Sequence, residues 1–272
     1  MILPMKRILL LLAAASIALA ADNTLTPAEK QAGFQLLFDG HSFNGWRNPA
    51  SEKPPGEAWV IEDGCLKTTP NPRITEDLVS SRSYGNFELA FDWRISPKGN
   101  TGVKYRIQRT VLLDNSHPDP KVPFEITVER ALTAPKYTRA TLPPGDKGQE
   151  YTISYEFQLI DPSAGAADGG VHQVGALYSM IPPRKQAAHP PLEWNTGRLV
   201  VKGDHFEHWI NGVMVLDGEL HSRAGLDTAA KRWGTRAPHV QEIFEHAEPT
   251  GPVSLQHHGA AVWFKNLKIR PL

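Results

Sequence analysis

The chain has 272 residues, with 29 basic side chains against 29 acidic ones and a single cysteine, Cys65. Zero net charge gives no support to nucleic acid or an anionic membrane surface as a partner, and one cysteine excludes an intrachain disulfide. Glycine (22) and proline (23) are spread along the chain instead of gathered in one linker, as expected of short strands joined by turns.

In chain order, the first predicted element is a leader. Lys6 and Arg7 precede an apolar run over 8–19, and Ala18-Leu19-Ala20 is a small-residue cleavage site, so residues 1–20 read as a secretory signal peptide. The run is too short for a stable bilayer anchor. The mature protein is therefore expected to be periplasmic or secreted, with no membrane anchor after cleavage. Residues 21–33 form an extension with a short helix, capped by Thr26, with Pro27 in its first turn and Gly33 at its stop.

Residues 34–272 read as one all-β domain. Alternating or apolar runs predict strands over 34–38, 59–61, 66–68, 78–80, 86–95, 103–108, 151–160, 197–202, 205–210, 213–217, 253–257 and 262–269. Gly203-Asp204 and Asn211-Gly212 are hairpin turns, the latter because both residues tolerate positive φ. Helical pieces are expected only near 227–233 and 239–246. Two long insertions, 109–150 and 161–193, carry clustered prolines and glycines and read as rims or lids. So many strands without βαβ alternation mean a sandwich of two curved antiparallel sheets with few short helices. Cys65, beside Glu62 and Asp63, is expected to pack as a small apolar residue, because no cation stands near to lower its pKa.

The most informative stretch is 155–161. Tyr155, Phe157 and Leu159 point one way, while Glu156, Gln158 and Ile160 point the other. A strand of this kind buries its apolar face and turns its polar face to solvent or ligand. Similar stretches at 103–108, 206–210 and 255–258 would, side by side, make a concave polar face. That face would carry Arg106, Glu156, Gln158, His208, Gln256 and His258, a composition suited to a saccharide. Among the tryptophans, Trp194 and Trp233 lie in rim segments where a ring could stack on a sugar. Trp209 and Trp263 lie on strands and are expected in the core.

Several pieces, taken in order, resemble the 3-keto-disaccharide hydrolase domain family. They begin with Leu37-Phe38-Asp39-Gly40 and Gly45-Trp46, followed by Gly99-Asn100-Thr101-Gly102 leading to Arg106. Next come Tyr155-Glu156-Phe157-Gln158, Gly175-Ala176-Leu177-Tyr178, Glu193-Trp194-Asn195, and Glu207 through Gly212. Leu255-Gln256-His257-His258-Gly259 and Val262 through Leu267 close the series. Two features depart from the family's pattern: a longer stretch between Arg106 and Glu156, and His257 where an aspartate is common.

The resemblance implies a concanavalin A-like jelly-roll sandwich and chemistry on glycosides whose carbon 3 is a ketone. The ketone acidifies the hydrogen on carbon 2, so a base can drive elimination of the group on carbon 1. Water added to the enone then gives net hydrolysis. Such a site needs a base near neutral pKa, a stabiliser for the enolate oxygen and an acid for the leaving group. His258 and Glu156 are expected at its centre, with His208 as a second imidazole and Arg106 as the planar cation for the enolate. Gln158, Gln256, Lys104, Trp194 and Trp233 are expected to bind substrate. A divalent metal would draw its ligands from Glu156, His208, His257 and His258.

A retaining glucanase would need a second carboxylate close by on the strand, and Gln158 and Ile160 stand where it would be. A non-catalytic carbohydrate-binding module remains the alternative, since such modules use the same fold.

Overall fold

Two sheets stack face to face in the structure, a computed structural model that describes residues 21–164 and 169–272. The expected leader, 1–20, lies outside the described residues. The larger sheet runs, in spatial order, β12 (Val213–Glu219), β11 (His205–Ile210), β10 (Asn195–Lys202), β7 (Phe87–Ile95), β14 (Val262–Pro271), β4 (Cys65–Thr68) and β3 (Trp59–Glu62), with β1 (Gln35–Leu36) also pairing to β14. The smaller sheet runs β2 (Trp46–Arg47), β6 (Leu78–Tyr84), β13 (Gly251–Leu255), β8 (Asn100–Asp114), β9 (Gly148–Ile160) and β5 (Ile74–Glu76). Strand pairs are antiparallel except β5 with β9. The architecture is the mainly β, two-sheet sandwich that the strand pattern predicts.

Apolar residues alternating along each strand fill the space between the sheets. Phe91 of β7 meets Phe157 of β9 at 6.2 Å between ring centroids and Phe264 of β14 at 6.3 Å. Tyr105 stacks on Tyr155 at 5.9 Å. Cys65 is buried as a free thiol and burial raises its pKa, which suits packing and not nucleophilic chemistry.

Four helices are present among the described residues: α1 (Pro27–Gln31), α2 (Phe124–Thr133), α3 (Arg223–Arg232) and α4 (Pro238–Glu245). The first, third and fourth fall where the sequence places helical pieces. Thr26 closes a capping box with Glu29 on α1, and Ser222 caps α3. By contrast α2 lies inside the insertion 109–150, where only loop was expected. It starts after Pro123 with no side-chain cap, so the usual start signal is missing. The same insertion is partly strand, because β8 continues to Asp114 and β9 begins at Gly148. Strands β2 and β5 are two and three residues long, too short for periodicity to register.

Trp209 and Trp263 do not enter the core. On β11 it is Phe206, His208 and Ile210 that are buried inward, which turns Trp209 to the outer face, where Arg198 covers its ring. Among the described residues no helix is long and apolar enough to cross a membrane.

Candidate active site

The outer face of the smaller sheet is polar and still buried. Register across four strands sets its central row. Glu156 on β9 lies opposite Lys104 on β8, and Lys104 lies opposite Ser254 on β13. On the other side of β9, a segment within the second insertion pairs briefly with the strand through Phe157 and Leu177. The Tyr178 amide there donates to the Glu156 carbonyl at 3.0 Å. Directly opposed residues share a face, so Tyr178, Glu156, Lys104 and Ser254 form one line.

Lys104 Nζ donates to Asp77 Oδ2 at 2.7 Å, and both side chains are buried. Asp77 also accepts from Thr152 Oγ1 at 3.1 Å and from the His257 backbone N–H at 3.1 Å. Burial alone would lower the Lys104 pKa, but Asp77 and then Glu156 outweigh it and hold the ammonium above its usual value. Glu156 is 6% exposed. Its desolvation raises the carboxyl to about 7, opposed by Lys104 and, more weakly, by Arg232 and the Gln256 hydrogen bond. Gln256 Nε2 donates to Glu156 Oε2 at 3.2 Å. The Gln158 amide, with nitrogen turned to its acceptors, donates to Glu156 Oε1 at 3.1 Å.

Gly102 faces this carboxylate, and a Cβ built on it would overlap Glu156. The glycine is what lets the Glu156 side chain lie flat on the sheet. Ser254 Oγ and Gln256 Oε1 are buried with no hydrogen-bond partner. Orphaned polar atoms beside a carboxyl of near-neutral pKa mark a place built for a ligand.

The structure brings Glu156, Lys104, Gln158 and Gln256 together. His258 stands after β13 on the exposed side, where the protein around it and then the Lys104 charge keep its pKa below the ordinary imidazole value. The remaining expectations are corrected. His208 is fully buried between the sheets, stacked on Phe157 at 4.1 Å, with Nδ1 on Gly175 O at 3.0 Å and Nε2 on Tyr105 Oη at 3.3 Å. Burial pushes its pKa down to about 3, so the ring stays neutral and does not face the polar row.

Arg106 shares the parity of Lys104, yet the register of β8 shifts between Tyr105 and Arg109, and Arg106 has φ +50°. Its guanidinium pairs with Asp204 at 3.1 Å and donates to Gly203 O, clamping the β10–β11 turn. His257 donates through Nε2 to Thr69 O at 2.8 Å and accepts from Gly259 N–H at 3.1 Å through Nδ1. Both nitrogens are used in holding loops. With His208 and His257 so occupied, the four expected metal ligands do not converge. Among the described residues the group of three such donors within 4.8 Å is Asp114, His117 and Asp146.

The two rim tryptophans are also placed elsewhere. Trp194 lies with Arg94 (4.9 Å) and Lys265 (4.5 Å) on its ring, on the outer face of the larger sheet. Trp233 is 1% exposed and stacks on Phe244 at 6.0 Å, beneath the Arg232 guanidinium.

Residues not anticipated are Asp77, Thr152, Tyr151, Tyr178 and Arg232. Lys104 lies 5.1 Å over the Tyr151 ring, and the Arg232 Nη2 donates to Tyr151 Oη at 3.4 Å. Tyr178 was within reach of the sequence, in the motif Gly175-Ala176-Leu177-Tyr178. Asp77 gives no signal, because its role depends on three donors distant along the chain.

A family model described as the 3-keto-alpha-glucoside-1,2-lyase-like domain matches residues 33–270. A 3-keto-disaccharide hydrolase from Bacteroides thetaiotaomicron is 28% identical over 266 residues, covering 92% of this chain and 82% of that protein. Among solved structures, a putative glycosyl hydrolase from Parabacteroides distasonis superposes with a TM-score of 0.67 at 27% identity, covering 93% of this chain and 100% of the other. A second putative glycosyl hydrolase from the same organism gives 0.53 at 20% identity, covering 84% and 99%.

Proposed function

The chain belongs to the 3-keto-alpha-glucoside-1,2-lyase-like domain family, and on that premise we propose that it cleaves 3-keto-glycosides by elimination, with Glu156 as the base. One observation carries this reading: a buried carboxyl with its pKa near 7 lies in a polar row with Lys104, flanked by two amides and by unsatisfied polar atoms. A base of that pKa is half ionised at neutral pH and strong enough to remove a proton made acidic by a ketone.

In the proposed step the Glu156 carboxylate takes the proton from carbon 2. The C–H electron pair forms the C2=C3 bond and the ketone π pair moves to oxygen, giving an enolate. Collapse restores the ketone, forms C1=C2 and breaks the bond from carbon 1 to the glycosidic oxygen. His258, open to solvent, relays a proton to that oxygen. Addition of water to the enone would convert the elimination into net hydrolysis. Gln158 and Gln256 hold hydroxyls or the carboxylate itself.

Asp77 is not cast as a second catalytic carboxylate. Lys104, Thr152 and the His257 amide occupy its oxygens, so an ordinary two-carboxylate glycosidase is disfavoured. The leader-like residues 1–20 support action outside the cytoplasm. The mass of the mature N-terminus after expression in a Gram-negative host tests this, with cleavage after Ala20 expected.

The reaction is tested with a 3-keto-glucoside and its unoxidised parent, with and without chelator. Release of the aglycone from the keto form alone is expected. Binding without cleavage of either sugar would make the face a lectin surface instead. Loss of activity on chelation would add a metal to the account.

A further inference from the structure

Elimination through an enolate needs a stabiliser at the ketone oxygen, and Arg106, the cation that sequence parity offers for it, is spent on the Asp204 turn. Lys104 is likewise committed to Asp77. A third cation reaches the same place from outside the sheet. Arg232 closes α3, and its guanidinium lies 4.4 Å from the Trp233 ring centroid and 4.9 Å from that of Tyr178. Its Nη1 donates to Tyr178 O at 3.2 Å and its Nη2 to Tyr151 Oη at 3.4 Å. Tyr178 is the residue opposite Glu156, and Tyr151 lies under Lys104, so these contacts bring the guanidinium to the end of the row that Glu156 occupies.

Among the described residues no carboxylate lies within 4 Å of Arg232, whereas Arg47, Arg106, Arg139, Arg184, Arg198, Arg236 and Arg270 each have such a partner. Among the described residues its hydrogen-bond acceptors are neutral. A half-buried cation fixed by two aromatic rings, with no carboxylate in contact with it, is placed to receive a negative charge that develops during reaction. The surroundings agree: Arg232 is among the charges that lower the Glu156 pKa.

We propose that Arg232 is the catalytic cation of this site, contacting the oxygen on carbon 3 of the substrate and stabilising the enolate formed when Glu156 takes the carbon 2 proton. The proposal rests on the elimination reading above. Trp233 and Tyr178 fix the plane of the guanidinium, which explains why a buried tryptophan adjoins it. Because the charge on oxygen develops in the transition state, the interaction should act on kcat more than on KM.

The test uses the full mature protein and its R232A and R232K variants on a 3-keto-glucoside, with melting curves as a folding control. For R232A, kcat should fall roughly 10²-fold with KM changed only a few-fold. The acid limb of kcat/KM should move to higher pH, since a charge that favours ionised Glu156 has gone. R232K should regain part of the rate, and added guanidinium should partly rescue R232A. Wild-type kcat in folded R232A would overturn the proposal while leaving the elimination reading intact. So would a rate loss with an unmoved acid limb and no rescue, which would reduce Arg232 to a packing residue. A wild-type protein that cleaves no keto-sugar would overturn the elimination reading, and this proposal with it.

Discussion

Two adjacent rows on the smaller sheet are largely buried and chemically opposite. Leu177, Phe157, Val103 and Leu255 lie in register toward the larger sheet, and one residue over, Tyr178, Glu156, Lys104 and Ser254 lie in register away from it. His208 packs against the first row and is pushed down to about 3, while Glu156 in the second is pushed up to about 7. Desolvation favours the neutral form of both. It removes the histidine from acid–base work at neutral pH and brings the carboxyl into it. Solvent exclusion alone therefore does not mark a catalytic group; the direction of the shift relative to working pH does.

The largest effect that separates the rows is expected at Glu156. Glu156→Gln should lower kcat by roughly 10²–10⁴-fold, measured on a 3-keto-glucoside. The wild-type kcat/KM should rise with pH and reach half its maximum near pH 7, where the base ionises. Stability should move the opposite way. A carboxyl whose folded pKa lies above its unfolded value favours the folded state below pH 4.5 and loses that contribution as pH rises through about 7. Glu156→Gln should accordingly be more stable than wild type at pH 8, by up to about 3 kcal/mol, and no more stable at pH 4. Equal stabilities at both values would mean that Glu156 is not desolvated.

Next in size is a contrast between histidines. His208→Ala removes a stacked ring from the core and leaves the Gly175 carbonyl without its partner. It should cost about 2–4 kcal/mol, read from urea unfolding, while the folded fraction keeps its turnover number. His258→Ala should do the reverse, with a rate loss of roughly 10²-fold and unchanged unfolding. If His208→Ala abolishes turnover in protein that remains folded, the core and site rows are coupled in a way the contacts do not explain.

These contrasts also show what the sequence could and could not convey. The sandwich follows from alternation, and along β9 it separates Tyr155, Phe157 and Leu159 from Glu156 and Gln158 correctly. On β11 the same parity puts His208 with Phe206 and Ile210, inside; grouping it with polar residues of other strands ignored that periodicity. Arg106 fails for another reason. The irregularity after Tyr105 reverses the parity of β8 at that residue, and nothing in Val103 through Gln108 announces it. Asp77, Arg232 and Tyr178 come to Glu156 from the approach to β6, from α3 and from the middle of an insertion. Such convergence is a property of topology, invisible to local pattern. The Trp233 ring is a seat for the guanidinium of its neighbour Arg232 and not a platform for a sugar.

A smaller change tests how closely the site row is fitted. Gly102→Ala would bring a methyl into the Glu156 carboxylate, forcing the side chain off the sheet and away from Gln256. A rate loss of roughly ten-fold is expected, because a displacement on the ångström scale is costly in catalysis. Stability should fall as well, because the clash reaches Glu156 Cγ and not only its carboxylate end. An unchanged rate would mean that Glu156 acts from a different rotamer.

The smallest effect is expected at Trp194, on the outer face of the larger sheet. Its ring is already covered by Arg94 and Lys265, and Arg94 is itself held over Trp263 at 4.5 Å. Both cations therefore occupy the aromatic surface that a sugar would need, and each such contact contributes about 0.5–1 kcal/mol at an exposed site. Trp194→Ala should leave kcat and KM on a disaccharide within about two-fold, because only local packing is lost, and lower stability by about 1 kcal/mol. A KM raised several-fold for longer substrates alone would overturn this expectation. It would mean that saccharide contacts continue onto the larger sheet, and that the polar row around Glu156 is only the reacting end of a longer surface.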